Sequence, residues 1–252
     1  MTRLIGVNTL VFNEEIQAGQ KEQYEYFNAL KEMGAAFVEV RREFFRDLAE
    51  DLTTTKQHAE RLELKLFYSV PSTLFVSGEL NPKLEDFFME AKEMNAKQIK
   101  LTMGDFDNFT EQIQTQLKAL LEAYPAIKLS IENDQSVAGG SAEVLSNFII
   151  SAHQLDLPLG VTFDTGNFAY IGETPEEAAH ILKDIVTYIH IKSVSLKDDG
   201  NLDLAMFETG DFDLSTVLNV FNPNTPAAIE YPCGNKDTAL DVLEKELKII
   251  KK

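Results

Sequence analysis

The chain of 252 residues carries 41 acidic and 23 basic side chains, so its formal net charge is −18. This charge argues against nucleic-acid and anionic-membrane partners, because both require clustered Lys and Arg. Hydrophobic residues make up 44% of the chain, which is enough for a large core and excludes a wholly disordered protein. The single cysteine, Cys233, excludes a disulfide framework and a structural cysteine–zinc site, and we expect it to have a packing role.

The N-terminal residues show no secretory signal, because Met1-Thr2-Arg3 leads directly into the short apolar segment Leu4-Ile5-Gly6-Val7. No apolar run approaches the roughly 20 residues that a membrane span needs. We therefore expect a soluble, cytoplasmic protein. We also expect residues 1–252 to form one domain, since no linker rich in Pro, Gly or Ser divides the chain.

Short β-rich segments alternate with longer segments of helical periodicity. The eight predicted strands are Leu4–Leu10, Ala36–Arg41, Leu64–Val70, Gln98–Thr102, Ile127–Glu132, Gly160–Asp164, Tyr188–Lys192 and Ala227–Tyr231. Seven of the predicted helices cover about 21–33, 48–62, 82–93, 108–124, 139–154, 214–220 and 238–250. The remaining helix, the sixth, begins at the capping box Thr174-Pro175-Glu176-Glu177.

Local signals set several of these boundaries. Gly34 is expected to end the first helix in a left-handed conformation. Pro71 is expected to end the third strand, and Asn81-Pro82 to cap the third helix.

Strict alternation of eight strands with eight helices indicates parallel strands joined by helical crossovers. The chain length allows about 31 residues for each unit, close to the roughly 30 of a βαβ unit. We therefore predict an α/β fold, a single-domain (β/α)8 TIM barrel. An open doubly wound sheet is the alternative, but no Gly-x-Gly-x-x-Gly motif follows the first strand.

Chemistry in such a barrel lies at the C-terminal ends of the strands. The last four predicted strands each place one potential metal ligand there: Glu132, Asp164, His190 and Glu230. Alternation with a period of two points these side chains inward. It turns their neighbours toward the helices, namely Ile131, Phe163, Ile189 and Ile229.

Three close carboxylates repel one another unless a cation lies between them. The mixed oxygen and nitrogen donors suit one divalent ion, Mn²⁺, Mg²⁺, Co²⁺ or Zn²⁺. Any one of these residues alone is more simply an ordinary polar residue bonded to loop amides. Four on successive strands favour a metal site.

Four segments carry a family resemblance: Ile131-Glu132-Asn133, Phe163-Asp164-Thr165-Gly166-Asn167, His190-Ile191-Lys192 and Ile229-Glu230. In order, spacing and strand position they resemble the xylose isomerase-like barrel superfamily, and within it the sugar phosphate isomerase/epimerase group. The resemblance covers essentially the whole chain. It implies one divalent metal ion held by Glu132, Asp164, His190 and Glu230.

The resemblance also implies an activity, the isomerisation or epimerisation of a small sugar or sugar-like keto substrate through an enediolate. Glu132 and Glu230 would exchange protons with the substrate. Departure of a β-hydroxyl would instead give dehydration, so a lyase acting on a polyol or keto-polyol is the alternative. A homo-oligomer is expected on the same basis.

Two residues depart from the family pattern. Asn167 stands where many members have a histidine, and Ser193 where many have an aspartate. Asparagine is a poor proton carrier, so a catalytically degenerate barrel that binds a ligand remains a further alternative. The three-zinc DNA-repair endonucleases of the superfamily are excluded, because they need several strand-end histidines and only His190 lies on a predicted strand.

Five side chains are predicted substrate contacts: Glu39, Arg41, Lys100, Asn167 and Lys192. Glu39 and Arg41 share one face of the second strand, so an internal ion pair between them is the alternative. Lys100 is alternatively a charge partner of Glu132. Ser193–Asp203 is acidic, which favours a neutral sugar or a monocarboxylate over a phosphate.

Overall fold

The computed structural model of the protein describes residues 3–251 and confirms the predicted (β/α)8 barrel. Its eight parallel strands are β1 (Ile5–Asn8), β2 (Phe37–Arg41), β3 (Lys65–Val76), β5 (Gln98–Gly104), β6 (Lys128–Glu132), β7 (Gly160–Asp164), β8 (Val186–Ile191) and β11 (Ala227–Ile229). Three further strands lie outside the barrel: β4 (Glu79–Leu80), β9 (Ser193–Leu196) and β10 (Leu202–Ala205). The barrel closes where β11 pairs with β1, with Ile5 opposite Ala227.

Helices surround the barrel and connect its strands. They are α1 (Asn13–Gln17), α2 (Phe27–Glu32), α3 (Leu48–Arg61), α4 (Leu84–Glu93), α5 (Glu111–Ala123), α6 (Val137–Gly140), α7 (Ala142–Gln154), α8 (Pro175–Leu182), α9 (Leu214–Val220) and α10 (Ala239–Ile250). The predicted helix start at Thr174 is confirmed, because its hydroxyl accepts a hydrogen bond from the Glu177 amide. Within residues 3–251, no helix is both long and apolar enough to cross a membrane.

The predicted end of β3 at Pro71 is wrong. The strand continues to Val76, and its pairing with β5 changes register between Ser69 and Thr73. Pro71 lies in this irregularity, where a residue without an amide hydrogen is tolerated. Beyond it, β3 pairs with the short antiparallel strand β4.

Two predicted boundaries move because asparagine side chains bond to nearby backbone groups. Asn8 accepts a hydrogen bond from the Leu10 amide, so β1 ends at Asn8 and a 3₁₀ turn follows. Asn81 donates to the Thr73 carbonyl and accepts from the Lys83 amide. It therefore stabilises a turn before α4, which begins at Leu84 and not at Pro82.

The segment after β8, for which we predicted no strand, forms the antiparallel hairpin of β9 and β10. Gly200 lies at its tip with a φ of +83°. The exposed apolar side chains of Leu196 and Leu204 lie on this hairpin.

The barrel interior has an apolar floor made of Phe37, Phe67, Tyr188 and Ala228. The rings of Phe37 and Phe67 stack with centroids 4.2 Å apart. A Cβ atom on Gly6 would lie 2.4 Å from the Phe37 ring, so this position needs glycine. Ile131, Phe163, Ile189 and Ile229 belong to the separate cluster that includes helix residues, as the alternation predicts. The polar residues that follow along each strand lie beyond this floor.

Candidate metal centre

The barrel register brings the four predicted ligands together. Asp164 lies opposite His190 across β7 and β8, and His190 lies opposite Ala228, two residues before Glu230. Glu132, Asp164, His190 and Glu230 are all buried. Each offers one ligand atom, and these four atoms lie within 4.8 Å of one another. Alternation and strand order are therefore sufficient to build the cluster.

His190 directly contacts two of the carboxylates. Its Nδ1 lies 2.5 Å from Glu132 Oε1 and 3.3 Å from Glu230 Oε2. Burial lowers the pKa of His190, but the charges of Glu230, Glu39 and Glu132 outweigh this effect and raise the pKa well above its ordinary value. Because a carboxylate oxygen only accepts, Nδ1 carries a hydrogen in this arrangement.

Three cationic side chains also contact these carboxylates. Lys100 Nζ lies 2.7 Å from Glu132 Oε2, so the charge pairing expected as the alternative for Lys100 is present. Lys192 Nζ lies 2.6 Å from Asp164 Oδ2 and 3.4 Å from Glu230 Oε2. Arg41 Nη1 lies 2.8 Å from Glu230 Oε1. Every carboxylate of the cluster therefore has a cationic neighbour.

The three carboxyl groups titrate differently. Burial raises the pKa of Glu132, but Lys100 and His190 outweigh it and lower the value to about 2. Burial likewise opposes ionisation of Glu230, whose pKa His190 and Lys192 hold well below its usual value. For Asp164, burial dominates over the attraction of Lys192 and raises the pKa to about 6. Asp164 is therefore the carboxyl group of the three that is protonated most readily as the pH falls.

Loop backbone groups fix the orientation of Asp164. Its Oδ1 accepts hydrogen bonds from the amides of Gly166 and Asn167, at 2.8 and 3.0 Å. The Asn133 side chain accepts from the Asp164 amide and donates to the Asp164 carbonyl. Oδ2 is thereby directed to Lys192 and the centre of the site. Asn133 stands in one of the family-like segments, but no sequence pattern there indicates this role.

Glu39 lies deeper in the barrel than a substrate contact at the mouth. It is 0% exposed, and its Oε2 accepts from His190 Nε2 at 2.7 Å, Asn8 Nδ2 at 2.7 Å and the Tyr188 hydroxyl at 2.9 Å. Within residues 3–251, no ion pair joins Glu39 to Arg41, which instead contacts Glu43 and Glu230.

Asn8 and Tyr188 are site residues that our sequence reasoning missed. Asn8 ends β1, and Tyr188 precedes His190 by two residues on the inward face of β8. The strand-end and alternation rules that selected the four ligands could have found both.

A cavity of about 330 Å³ opens above the cluster. The predicted substrate contacts Arg41, Lys100, Asn167 and Lys192 line it, together with Glu132 and Glu230. Leu10, Asp134 and Gln135 complete its wall. This volume suits a small molecule.

The two residues that depart from the family pattern have structural contacts. Asn167 donates to the Asn133 carbonyl, and its Oδ1 lies 3.2 Å from both Gln135 Nε2 and Lys192 Nζ. Ser193 begins β9 and is buried against Gly210, where an added Cβ would lie 2.1 Å from Ser193 Oγ. Asn167 therefore joins two loops at the pocket wall, and Ser193 supports the hairpin.

Cys233 is buried near the last strand, and its thiol contacts the Tyr231 carbonyl oxygen. Burial raises the pKa of this thiol to about 12. A thiol that stays protonated at neutral pH is a poor nucleophile, which agrees with the predicted packing role.

The donor set fits a divalent metal ion. Three carboxylates and one imidazole offer oxygen and nitrogen ligands, and their ligand atoms are close enough to share one ion. The set is compatible with Mn²⁺, Mg²⁺, Co²⁺ or Zn²⁺ and does not distinguish among them.

No protein-family model and no curated protein sequence matches this chain. Three solved structures match it closely in fold. IolI protein with a binding zinc atom aligns at a TM-score of 0.72 and 14% identity, over 98% of this chain and 97% of that one. D-allulose 3-epimerase from Methylomonas sp. aligns at 0.66 and 13% identity, over 100% and 98%. The probable 3-DHS dehydratase AsbF from Bacillus anthracis aligns at 0.67 and 15% identity, over 100% and 99%.

One further match spans a longer protein. The chain covers only 42% of a xylose isomerase-like TIM barrel/4-hydroxyphenylpyruvate dioxygenase fusion protein, while 96% of this chain is aligned at a TM-score of 0.70. The named neighbours thus include enzymes of two reaction types, epimerisation and dehydration. The shared architecture shows that this chain has the fold of the xylose isomerase-like TIM barrels.

Proposed function

We propose that the protein is a divalent-metal-dependent isomerase or epimerase that acts on a small sugar or sugar-like keto substrate. The observation that carries this proposal is the buried cluster of Glu132, Asp164, His190 and Glu230, whose ligand atoms lie within 4.8 Å of one another. The cluster lies at the base of a small polar pocket. The names of the zinc-containing IolI structure and of the allulose epimerase support the proposal.

The four cluster residues would hold the ion, which when bound supplies Lewis-acid polarisation of substrate oxygens. The remaining chemistry belongs to the side chains of this chain. Asp164 is held by loop amides and serves only as a ligand. Arg41 and Lys192 line the pocket and orient substrate hydroxyl or carbonyl oxygens.

Glu132 and Glu230 are the proposed proton-transfer residues. Glu132 ends β6 and Glu230 follows β11, and each directs one oxygen toward His190 Nδ1. Their other oxygens are held by Lys100 and Arg41. One carboxylate removes a proton from a substrate carbon and the other returns a proton, which gives 1,2-isomerisation or epimerisation.

Metal-dependent thermal stability tests the first part of the proposal. We expect Mn²⁺ or Co²⁺ to raise the melting temperature of the protein, because a ligand that binds only the folded state stabilises it. In Glu132→Gln this increase should be lost. If no divalent ion stabilises the wild-type protein, the metal-enzyme proposal fails and the catalytically degenerate ligand-binding barrel replaces it.

Proton NMR in D₂O tests the reaction type against a panel of ketoses and keto acids. Deuterium entering the substrate without loss of water supports an isomerase or epimerase. Loss of water would instead favour a lyase acting on a polyol or keto-polyol, an alternative that the dehydratase neighbour supports. We propose a small-molecule partner, no nucleic-acid partner and a homo-oligomeric assembly.

A further inference from the structure

We propose that Glu39 is a positioning residue that fixes the His190 ring so that Nδ1, and not Nε2, binds the metal ion. This inference rests on the metal site of the proposed function. Glu39 Oε2 lies 2.7 Å from His190 Nε2, on the side of the ring opposite Glu132 and Glu230. A carboxylate only accepts hydrogen bonds, so this contact keeps a hydrogen on Nε2.

The surroundings of Nε2 are closed and supply hydrogen-bond donors. Asn8 Nδ2 and the Tyr188 hydroxyl donate to the same Glu39 oxygen, and all four residues are 0% exposed. Because these donor hydrogens already point at Glu39 Oε2, a cation bound beside His190 Nε2 would meet them and be repelled. The Nδ1 side, in contrast, faces two carboxylates at the base of the pocket.

Two further contacts limit the orientation of the ring. The Tyr188 ring meets the His190 ring edge-on, with centroids 4.8 Å apart and planes at 76°. Glu39 itself is held by Asn8 from β1 and Tyr188 from β8. A carboxylate that accepts from the far nitrogen of a ligating imidazole also makes the near nitrogen a stronger donor to metal.

Glu39 is costly to bury, since its Oε1 is buried without a hydrogen-bond partner among the described residues. An unpaired buried oxygen destabilises the fold. Full hydrogen bonding of its own carboxylate therefore does not explain why Glu39 is buried here. Its contact with His190 does give it a function.

Three variants test the proposal through metal affinity. Glu39→Ala removes the acceptor, Glu39→Gln keeps an acceptor oxygen without its charge, and Tyr188→Phe removes a donor to Glu39 but leaves the Glu39–His190 contact. We expect Glu39→Ala to weaken Zn²⁺ binding about 10- to 100-fold, as loss of such a partner typically does. Glu39→Gln should weaken it less, and Tyr188→Phe, which removes one of the contacts that hold Glu39, should also weaken it less than Glu39→Ala does. Titration of Zn²⁺ against a chromophoric chelator measures the dissociation constants.

NMR of ring-¹⁵N-labelled histidine separates positioning from a merely structural role. The chain has only four histidines, and the His190 signals are those that disappear in His190→Asn. In the Zn²⁺-loaded wild type, Nδ1 should show the metal-bound shift, and Nε2 should retain a slowly exchanging hydrogen. In Glu39→Ala that hydrogen should exchange rapidly, and Glu39→Gln should partly restore it.

The outcomes distinguish this inference from the proposed function. If the wild type binds no Zn²⁺, the proposed metal site itself fails. If the wild type binds but the Glu39 variants retain its dissociation constant, or if Zn²⁺ occupies Nε2, the role of Glu39 is overturned while the metal site stands. Should Glu39→Ala fail to fold, Glu39→Gln alone decides, because an unchanged affinity and an unchanged Nε2–H signal contradict the proposal.

Discussion

Lys192 places a positive charge beside two of the proposed ligands. Its ammonium group lies 2.6 Å from Asp164 Oδ2 and 3.4 Å from Glu230 Oε2. Burial would lower the pKa of this group, but Asp164 and Glu230 outweigh the effect and raise it, so the charge persists at neutral pH. The same charge that stabilises the metal-free carboxylates must repel an arriving cation.

We therefore predict that Lys192→Met binds Mn²⁺ more tightly than the wild type, by several-fold to about tenfold, which is up to about 1.4 kcal/mol. Methionine is also unbranched, so the substitution removes the charge and keeps much of the apolar stem. Isothermal titration calorimetry measures the affinity. Lys197→Met, on the exposed hairpin, is the control and should bind like the wild type. Weaker binding by Lys192→Met would show that Lys192 supports the ion.

At the scale of single residues, the sequence predicts which side chains enter the barrel but not which partner each one contacts. The spacing of β6, β7, β8 and β11 is sufficient to place the four proposed metal ligands inward. The partners of Glu39 depend on the stagger between β2 and β8, which brings His190 and Tyr188 to its oxygen. No local pattern in either strand records this stagger, so the sequence suggested a substrate contact for Glu39 or, alternatively, an ion pair with Arg41.

At the scale of elements, the extension of β3 depends on a glycine in the neighbouring strand. Gly104 ends β5 with a φ of +78°, and an added Cβ would lie 2.2 Å from the Phe75 carbonyl oxygen. Gly78, in the turn from β3 to β4, has a nearly identical φ of +79° but nothing within 4 Å of an added Cβ. A comparison of Gly78 with Gly104 therefore separates the energetic cost of the left-handed backbone from the cost of a steric clash.

We predict that Gly78→Ala lowers the free energy of unfolding by about 1 kcal/mol, the usual cost of a left-handed conformation in a residue other than glycine. Gly104→Ala should lower it by about 2–4 kcal/mol, because strain from the backbone clash adds to that cost. Urea unfolding followed by circular dichroism measures both. If both variants lose the same free energy of unfolding, β3 and β5 can move apart to accommodate the Gly104→Ala methyl group at no energetic cost, and the predicted clash is absent.

The hairpin of β9 and β10 is one of the elements that our sequence reasoning missed. Asp199-Gly200 is a typical hairpin turn between two short segments that alternate in polarity. The acidic composition of Ser193–Asp203 does not indicate strands, and only the turn signal could have predicted them.

At the scale of the whole molecule, the net negative charge of the chain does not predict the charge balance inside the candidate site. The chain has a formal net charge of −18, yet Lys100, Lys192, Arg41 and His190 face the buried carboxylates. The length and alternation were sufficient to predict one barrel, because eight βα units account for 252 residues. The charge balance inside the barrel was hidden, because the total is dominated by side chains outside it.

This internal balance makes the stability of the metal-free protein depend on pH. The pKa of His190 is raised well above its usual 6.5 in the folded protein, so its stabilising effect is complete below about pH 6.5. As pH rises above this value, the unfolded chain loses the proton first and the effect declines until the folded-state pKa is passed. Each pH unit in this range removes up to about 1.4 kcal/mol.

The carboxyl groups act mainly at lower pH. The pKa of Glu132 is lowered to about 2, so its contribution is present above about pH 4.5 and is lost as pH falls toward 2. The pKa of Asp164 is raised to about 6, so its contribution declines as pH rises from about 4 to 6. Between pH 6.5 and 8, His190 is therefore the group of this cluster that sets the slope.

We predict that the free energy of unfolding of the metal-free protein falls between pH 6.5 and 8, as measured by urea unfolding in the presence of a chelator. His190→Asn should flatten this slope, because asparagine carries no proton to lose. Saturating Mn²⁺ should flatten or reverse it, since a metal ion on Nδ1 takes the place of the proton and binds better as protons become scarce. A metal-free protein whose stability is constant or increases over this range would contradict the charged state of His190 on which this argument depends.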